Sequence, residues 1–214
     1  MGNSHPGLHL YERMARDDKK GGAMPYGLSR EEALALLRDY VKNENMIKHC
    51  LASEAVLMGL AESLGEEAEK WGLAGLLHDL DIEVVNGDLG RHTIDTEKIL
   101  REKGVDEEII HAIKLHNEEI HGEKRTERLH HALAAGETIT GLIIATTLVY
   151  PDKKIGSVKA KSIKKRMKEK SFAASVNRET IMECQKLGMD IDKFAEICLT
   201  AMQGIANDLG LYAI

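Results

Sequence analysis

The segment Ala74-Gly75-Leu76-Leu77-His78-Asp79-Leu80-Asp81 (AGLLHDLD) runs an apolar stretch straight into three ionisable residues within four positions. Trp71, Ala74 and Gly75 precede His78 at spacings that place side chains on one helical face. A helix from Glu66 to about Asp79 therefore carries His78 inward, with Asp79 beside it near the helix end. An inward histidine next to a carboxylate needs polar company. Three more segments carry polar residues on apolar stripes.

His49 continues into Ala52, Ser53, Val56 and Leu60. His116 follows Ile109, Ala112 and Ile113, and Glu137 sits between Leu133 and Gly141, with Ile144 and Leu148 beyond. Any one of these histidines is also accounted for as a hydrogen-bonded core residue. The glutamate weighs more, because an ionised carboxylate in apolar surroundings costs about several kcal/mol unless a cation or strong donors compensate it. Three histidines and a carboxylate on inward faces of four helices supply the nitrogen and oxygen ligands that a divalent transition metal takes inside a helical bundle. Asp79 adds a second oxygen.

Composition sets the frame around that set. The 214 residues suffice for one main domain, and 3 prolines with 4% aromatics favour helices over sheets. The expected class is all-α. Ser29 and Glu32 form an S-x-x-E helix start, Asn43 or Asn45 caps a second helix, and Gly65 ends it. Further helices are expected over 93–103, 106–120, 127–149, 158–170, 177–187 and 191–209, with a loop over 82–92. The expected organisation is a tail over 1–27, a core over 28–150 and a C-terminal helical extension over 151–214. Lys plus Arg total 29 against 35 Asp plus Glu, a formal charge of -6, so no nucleic-acid partner is expected from net charge. Cys50, Cys184 and Cys198 lack CxxC spacing, which speaks against a disulfide framework and a thiolate zinc site. No apolar run approaches the ~20 residues of a membrane helix, so no membrane partner and a cytoplasmic location are expected.

The ordered set of segments resembles the HD superfamily of metal-dependent phosphohydrolases, named for a His-Asp pair. IKHCLASEAV with His49 stands 29 residues before AGLLHDLD, and RHTIDTEKIL, AIKLHNEE and GETITGLIIA follow in the family's order. The likeness covers about residues 29–150, and the C-terminal helices resemble those of a small bacterial HDIG-type subgroup. It implies a helical bundle with His49, His78, Asp79 and Glu137 as metal ligands, a glutamate replacing the usual aspartate at the last position. Family members with two metals, such as HD-type diadenosine tetraphosphate hydrolases, add two histidines, which fall here on His92 and His116. His111, His121, His130 and His131 fit neither pattern. HDLDIEVVNGDL also resembles a segment of HD-type nucleoside 5'-monophosphatases, with one extra residue before Glu83; Glu83 otherwise reads as an exposed loop acid. Asp81 is a supporting residue by its place in sequence alone.

The resemblance implies one or two divalent metals (iron, manganese, cobalt or nickel), bridged by Asp79 as the catalytic carboxylate, activating water against a phosphomonoester or phosphoanhydride of a small nucleotide-like metabolite. Lys48 and Lys114 flank proposed ligands and are candidates for substrate phosphate. Lys164 and Lys165, with Arg166, join them from Lys153–Lys170, a stretch of nine basic residues and one acidic one that reads either as a solvated face or as a phosphate-binding surface. The alternative function is a non-catalytic metal- or nucleotide-binding module with a regulatory role. The stripe Phe194, Ile197, Ala201 and Ile205 fits either core packing or a homodimer.

Overall fold

A computed structural model describes residues 25–212. The described residues contain nine α-helices and no strand. In chain order these are α1 (Arg30–Tyr40), α2 (Glu44–Leu64), α3 (Ala68–Leu77), α4 (Ile94–Glu102), α5 (Glu107–His116), α6 (Arg128–Leu148), α7 (Ala160–Lys168), α8 (Arg178–Ile181) and α9 (Ile191–Gly204), with 3-10 turns at Glu118–Ile120, Ile155–Ser157 and Met182–Leu187. Of the tail expected over 1–27, residues 1–24 lie outside the described residues.

Local chemistry sets the helix ends. Ser29 and Glu32 form the reciprocal capping box at α1. Of the two candidate asparagines it is Asn43 that caps α2, accepting from the N–H groups of Asn45 and Met46. Gly65, at φ +73°, closes the same helix in a left-handed conformation open to glycine. The helix expected over 106–120 stops at His116, because Asn117 leaves helical geometry and its side-chain amide donates to the carbonyls of Leu89 (2.7 Å) and His92 (3.2 Å). The span 177–187 is a short helix continued by a 3-10 turn, and the last helix ends at Gly204 rather than 209.

The two 21-residue helices α2 and α6 form the centre. α2 packs on α3, α6 and α9, and α6 also packs on α5, α8 and the 182–187 turn. One apolar cluster runs from Leu28 and Leu37 through Leu57, Leu77, Leu133 and Ile143 to Phe194, Cys198 and Met202, so the C-terminal helices share the core of the earlier ones. Phe194 is fully buried there, whereas Ile197 and Ala201 are partly exposed against it. α6 alone among the described helices is long and apolar enough to cross a membrane, and most of it is buried inside the bundle. The three cysteines are free and buried.

Candidate metal centre

α2 and α3 cross at Gly75, where a Cβ would stand 2.6 Å from the Ser53 carbonyl oxygen. Only hydrogen at that position permits such an approach. His49 lies one turn before Ser53 and His78 one turn after Gly75, so the close crossing brings their Nε2 atoms to 3.1 Å. The hydrogen-bond network assigns both tautomers. His78 Nδ1 donates to the Gly75 carbonyl (2.8 Å). His49 Nδ1 faces the Thr140 hydroxyl (3.1 Å), which spends its own proton on the Glu137 carbonyl (2.6 Å) and so accepts from the ring. Both Nε2 atoms are then left unprotonated, each presenting a lone pair, 3.1 Å apart. Burial pushes the His78 pKa down to about 3 and lowers that of His49, outweighing the nearby Asp79 carboxylate, so no proton relieves the repulsion at neutral pH. A cation does. Asp79 Oδ2 completes the group, 3.5 Å from His49 Nε2 and 3.4 Å from His78 Nε2.

The other oxygen of Asp79 faces a second histidine pair. His92 Nε2 is 3.1 Å and His116 Nε2 3.7 Å from Oδ1, and the two nitrogens are 2.9 Å apart. His116 Nδ1 donates to the Ile113 carbonyl (2.5 Å) at the end of α5. His92 Nδ1 bonds to Asp81 Oδ1 (2.7 Å). Two donors on one cation about 2.1 Å away stand about 3.0–3.4 Å apart at octahedral or tetrahedral angles. The separations within both groups cluster around that range. His49, His78 and Asp79 form one triad whose ligand atoms lie within 4.8 Å of one another, and Asp79, His92 and His116 form the other. Desolvation lowers the His92 pKa, but its bonds to Asp79 and Asp81 overcome this and raise it to about 9. In the cation-free chain a proton thus stands in the second half-site. Burial alone would raise the Asp79 carboxyl; the surrounding histidines hold it well below the usual carboxylate range.

Asp81 supports this half-site from behind. Fully buried, it accepts the N–H groups of Thr93 (2.9 Å) and Thr96 (3.0 Å) besides the His92 ring. Such a carboxylate behind a ligating imidazole fixes the ring and raises its basicity. Thr93 adopts φ +82°, a left-handed conformation that a β-branched residue rarely takes and that costs about 1–3 kcal/mol. That backbone aims its N–H at Asp81 and orients the preceding His92. The spacing of residues gave no hint of Thr93, Thr96 or Thr140, since each acts through backbone geometry or a partner distant in sequence. His121, outside the sequence pattern, has its Nε2 at 2.7 Å from the Thr93 hydroxyl.

Glu137 stands at the rim of the first half-site, its Oε2 3.8 Å from His49 Nε2 and its other oxygen accepting from the Thr138 hydroxyl. Burial raises its pKa to about 8. Glu83 lies elsewhere: its carboxylate accepts the N–H groups of Lys42 (3.0 Å) and Asn43 (2.8 Å), tying the 78–93 turn segment to the start of α2. Three of the four candidate lysines pair with acids outside the histidine cluster. Lys114 reaches Glu123 (3.5 Å), Lys164 pairs with Asp192 (2.5 Å), Lys165 lies 3.8 Å from Glu169, and the Lys48 amino group lies by Gly210. Arg166 pairs with Glu169 and covers the Phe172 ring at 4.2 Å.

Residues 46–148 match the family model described as the HD domain. Over 76 residues the chain is 33% identical to Ribonuclease Y of Lawsonia intracellularis, and over 77 residues 34% identical to Ribonuclease Y of Nitratidesulfovibrio vulgaris. Each alignment covers 36% of this chain, which spans 15% of the length of either relative. No solved structure matches the chain. With the His-Asp pair at the junction of two histidine groups inside the matched region, this chain is an HD-domain protein.

Proposed function

We propose that this protein is a metal-dependent phosphohydrolase that cleaves a phosphomonoester or phosphoanhydride of a small nucleotide-like metabolite. The unprotonated Nε2 atoms of His49 and His78, 3.1 Å apart with no proton to separate them, carry the reading. His49, His78 and one oxygen of Asp79 would hold one cation, with Glu137 as a further oxygen at the rim. His92, His116 and the other Asp79 oxygen would hold a second. Bound divalent cations supply Lewis acidity and lower the pKa of water from ~15.7 toward ~7, which is what phosphoryl transfer to water requires. Iron, manganese, cobalt and nickel all suit the mixed donor set.

The chain's own contribution is positioning. Asp79 spans both groups, so one carboxylate fixes their relative placement. The carbonyls of Gly75 and Ile113, the Thr140 hydroxyl and Asp81 each lock one imidazole by its Nδ1. Donors held this way do not reorganise during reaction, which is where such sites gain most. Burial pushes the Cys50 thiol well above its usual range, so no thiolate nucleophile competes.

A second reading rests on the likeness to Ribonuclease Y and on the basic stretch Lys153–Lys170: a phosphodiester in RNA as substrate. The net charge of -6 opposes it. The test is elemental analysis of tag-free protein, followed by a screen of phosphomonoesters, dinucleoside polyphosphates, cyclic nucleotides and single-stranded oligoribonucleotides with manganese. Turnover of a small nucleotide, lost in Asp79→Ala, supports the proposal. Turnover confined to oligoribonucleotides transfers it to the second reading. Tight cation binding without turnover of any of these, after iron reconstitution under reducing conditions, leaves the non-catalytic binding module.

A further inference from the structure

Outside the HD-matched residues, the 182–187 turn sends Glu183 back toward α5. The Glu183 carboxylate grips Arg125 at two points, Oε2 to Nε at 3.0 Å and Oε1 to Nη2 at 2.7 Å, and also bonds to His131 Nδ1 on α6 at 2.7 Å. Arg125 is mostly buried, its side chain 11% exposed. Its remaining guanidinium nitrogen donates to the carbonyls of Leu115 (2.8 Å) and His116 (3.3 Å), the last two residues of α5. Those carbonyls have no partner within the helix, and a guanidinium placed there satisfies them and complements the negative helix end. Glu118 holds the same arginine from the other side, accepting its backbone N–H at 3.1 Å.

We infer that Glu183 and Arg125 are positioning residues for the second half-site: the C-terminal segment clamps the end of α5 and thereby aims His116 at Asp79. The His116 ring takes its orientation from the Ile113 carbonyl one turn back, so the ring points correctly only while that turn holds its shape. Next to it, Asn117 ties the same chain end to the backbone of His92. Arg125, with its nitrogens committed to Glu183 and the two carbonyls, has no geometry left for a substrate. A lysine would not replace it, because one ammonium cannot span a carboxylate and two carbonyls.

This inference rests on the two-cation reading above. The test is calorimetric titration of metal-free protein with cobalt(II) alone, with the visible absorption of each loading step recorded. In wild type two cations bind; in Glu183→Gln and Arg125→Lys the first step is unchanged and the second weakens about 10–100-fold, as for other residues that hold a ligand from behind. A double replacement, Arg125→Met with Glu183→Leu, fills the same volume without burying an unpaired charge, and gives the same loss in a chain whose folding is checked by circular dichroism. Folded variants that bind the second cation as wild type does overturn the inference alone. A wild-type chain that takes only one cation overturns the two-cation reading and the inference together.

Discussion

Replacing Gly75 by alanine tests the link between the α2–α3 crossing and the metal centre. The added Cβ would stand 2.6 Å from the Ser53 oxygen, 2.7 Å from its carbonyl carbon and 2.8 Å from the Glu54 nitrogen. All three are backbone atoms, which cannot rotate aside. Restoring ordinary contact requires the helices to part locally by about 0.8 Å. Overpacking of this kind costs about 1–3 kcal/mol, which lowers the melting temperature of a chain this size by roughly 3–10 °C. The same displacement opens the 3.1 Å gap between His49 and His78, and cation affinity in the first half-site falls about 10–100-fold, comparable to loss of a supporting residue. The control is Gly136→Ala, whose Cβ meets Leu57 Cδ2 at 2.9 Å and Val56 Cγ1 at 3.1 Å. Leu57 Cδ2 ends a flexible side chain that can rotate aside, and the stiffer Val56 methyl has only a few tenths of an ångström to give, so the loss stays at the low end of overpacking, about 1 kcal/mol, and cation affinity is unchanged. Thermal unfolding in chelator, then calorimetric titration with manganese, reads both effects. A Gly75→Ala protein that melts and binds like wild type, or a Gly136→Ala protein that suffers more, refutes the crossing argument.

Asp81→Asn removes the carboxylate behind His92 and lowers cation affinity in the second half-site about 10–100-fold, with the first half-site unaffected; equal weakening of both steps contradicts the assignment. In the cation-free chain the His92 pKa is raised from 6.5 to about 9, so its contribution to stability is full below pH 6.5 and is lost as pH rises through about 9. A cation must displace that proton, so second-site affinity climbs as pH rises toward about 9 and levels off above it, with one proton released per cation below that pH; titrations in buffers of different ionisation enthalpy measure the release, and a second step independent of pH below about 9 is the contrary result. Chelator should lower the melting temperature of metal-loaded protein, and free cation at about 100 times its dissociation constant should restore about 2.7 kcal/mol; identical melting with and without cation counts against a folded-state site.

The helical class was legible because periodicity and end signals are local: the Ser29–Glu32 box, the Asn43 cap and Gly65 act within one turn of the chain. Helix ends set by distant partners were not. Asn117 breaks α5 early because the backbone of the 89–92 turn draws in its side chain, and that turn lies 25 or more residues back in sequence. His49, His78 and His116 stood out because a polar residue on an apolar stripe violates the pattern around it, whereas His92 came only from the family resemblance. Their supports followed no such rule: Asp81 had no signal beyond adjacency, Thr93 acts through its strained backbone, and Glu183 lay in a segment read only as an extension.

The sequence by itself determined that His49, His78, His116 and Glu137 face inward, since side-chain direction on a helix follows from spacing. Only the tertiary structure decided how those inward groups divide. It turned the two oxygens of Asp79 toward different histidine pairs, left Glu137 at the rim with its carboxyl raised to about 8, and engaged Lys114 and Lys164 with acidic partners that belong to neither histidine group. Those outcomes depend on how closely helices approach, as at Gly75, and on which hydrogen bond each imidazole makes with its second nitrogen, neither of which periodicity encodes.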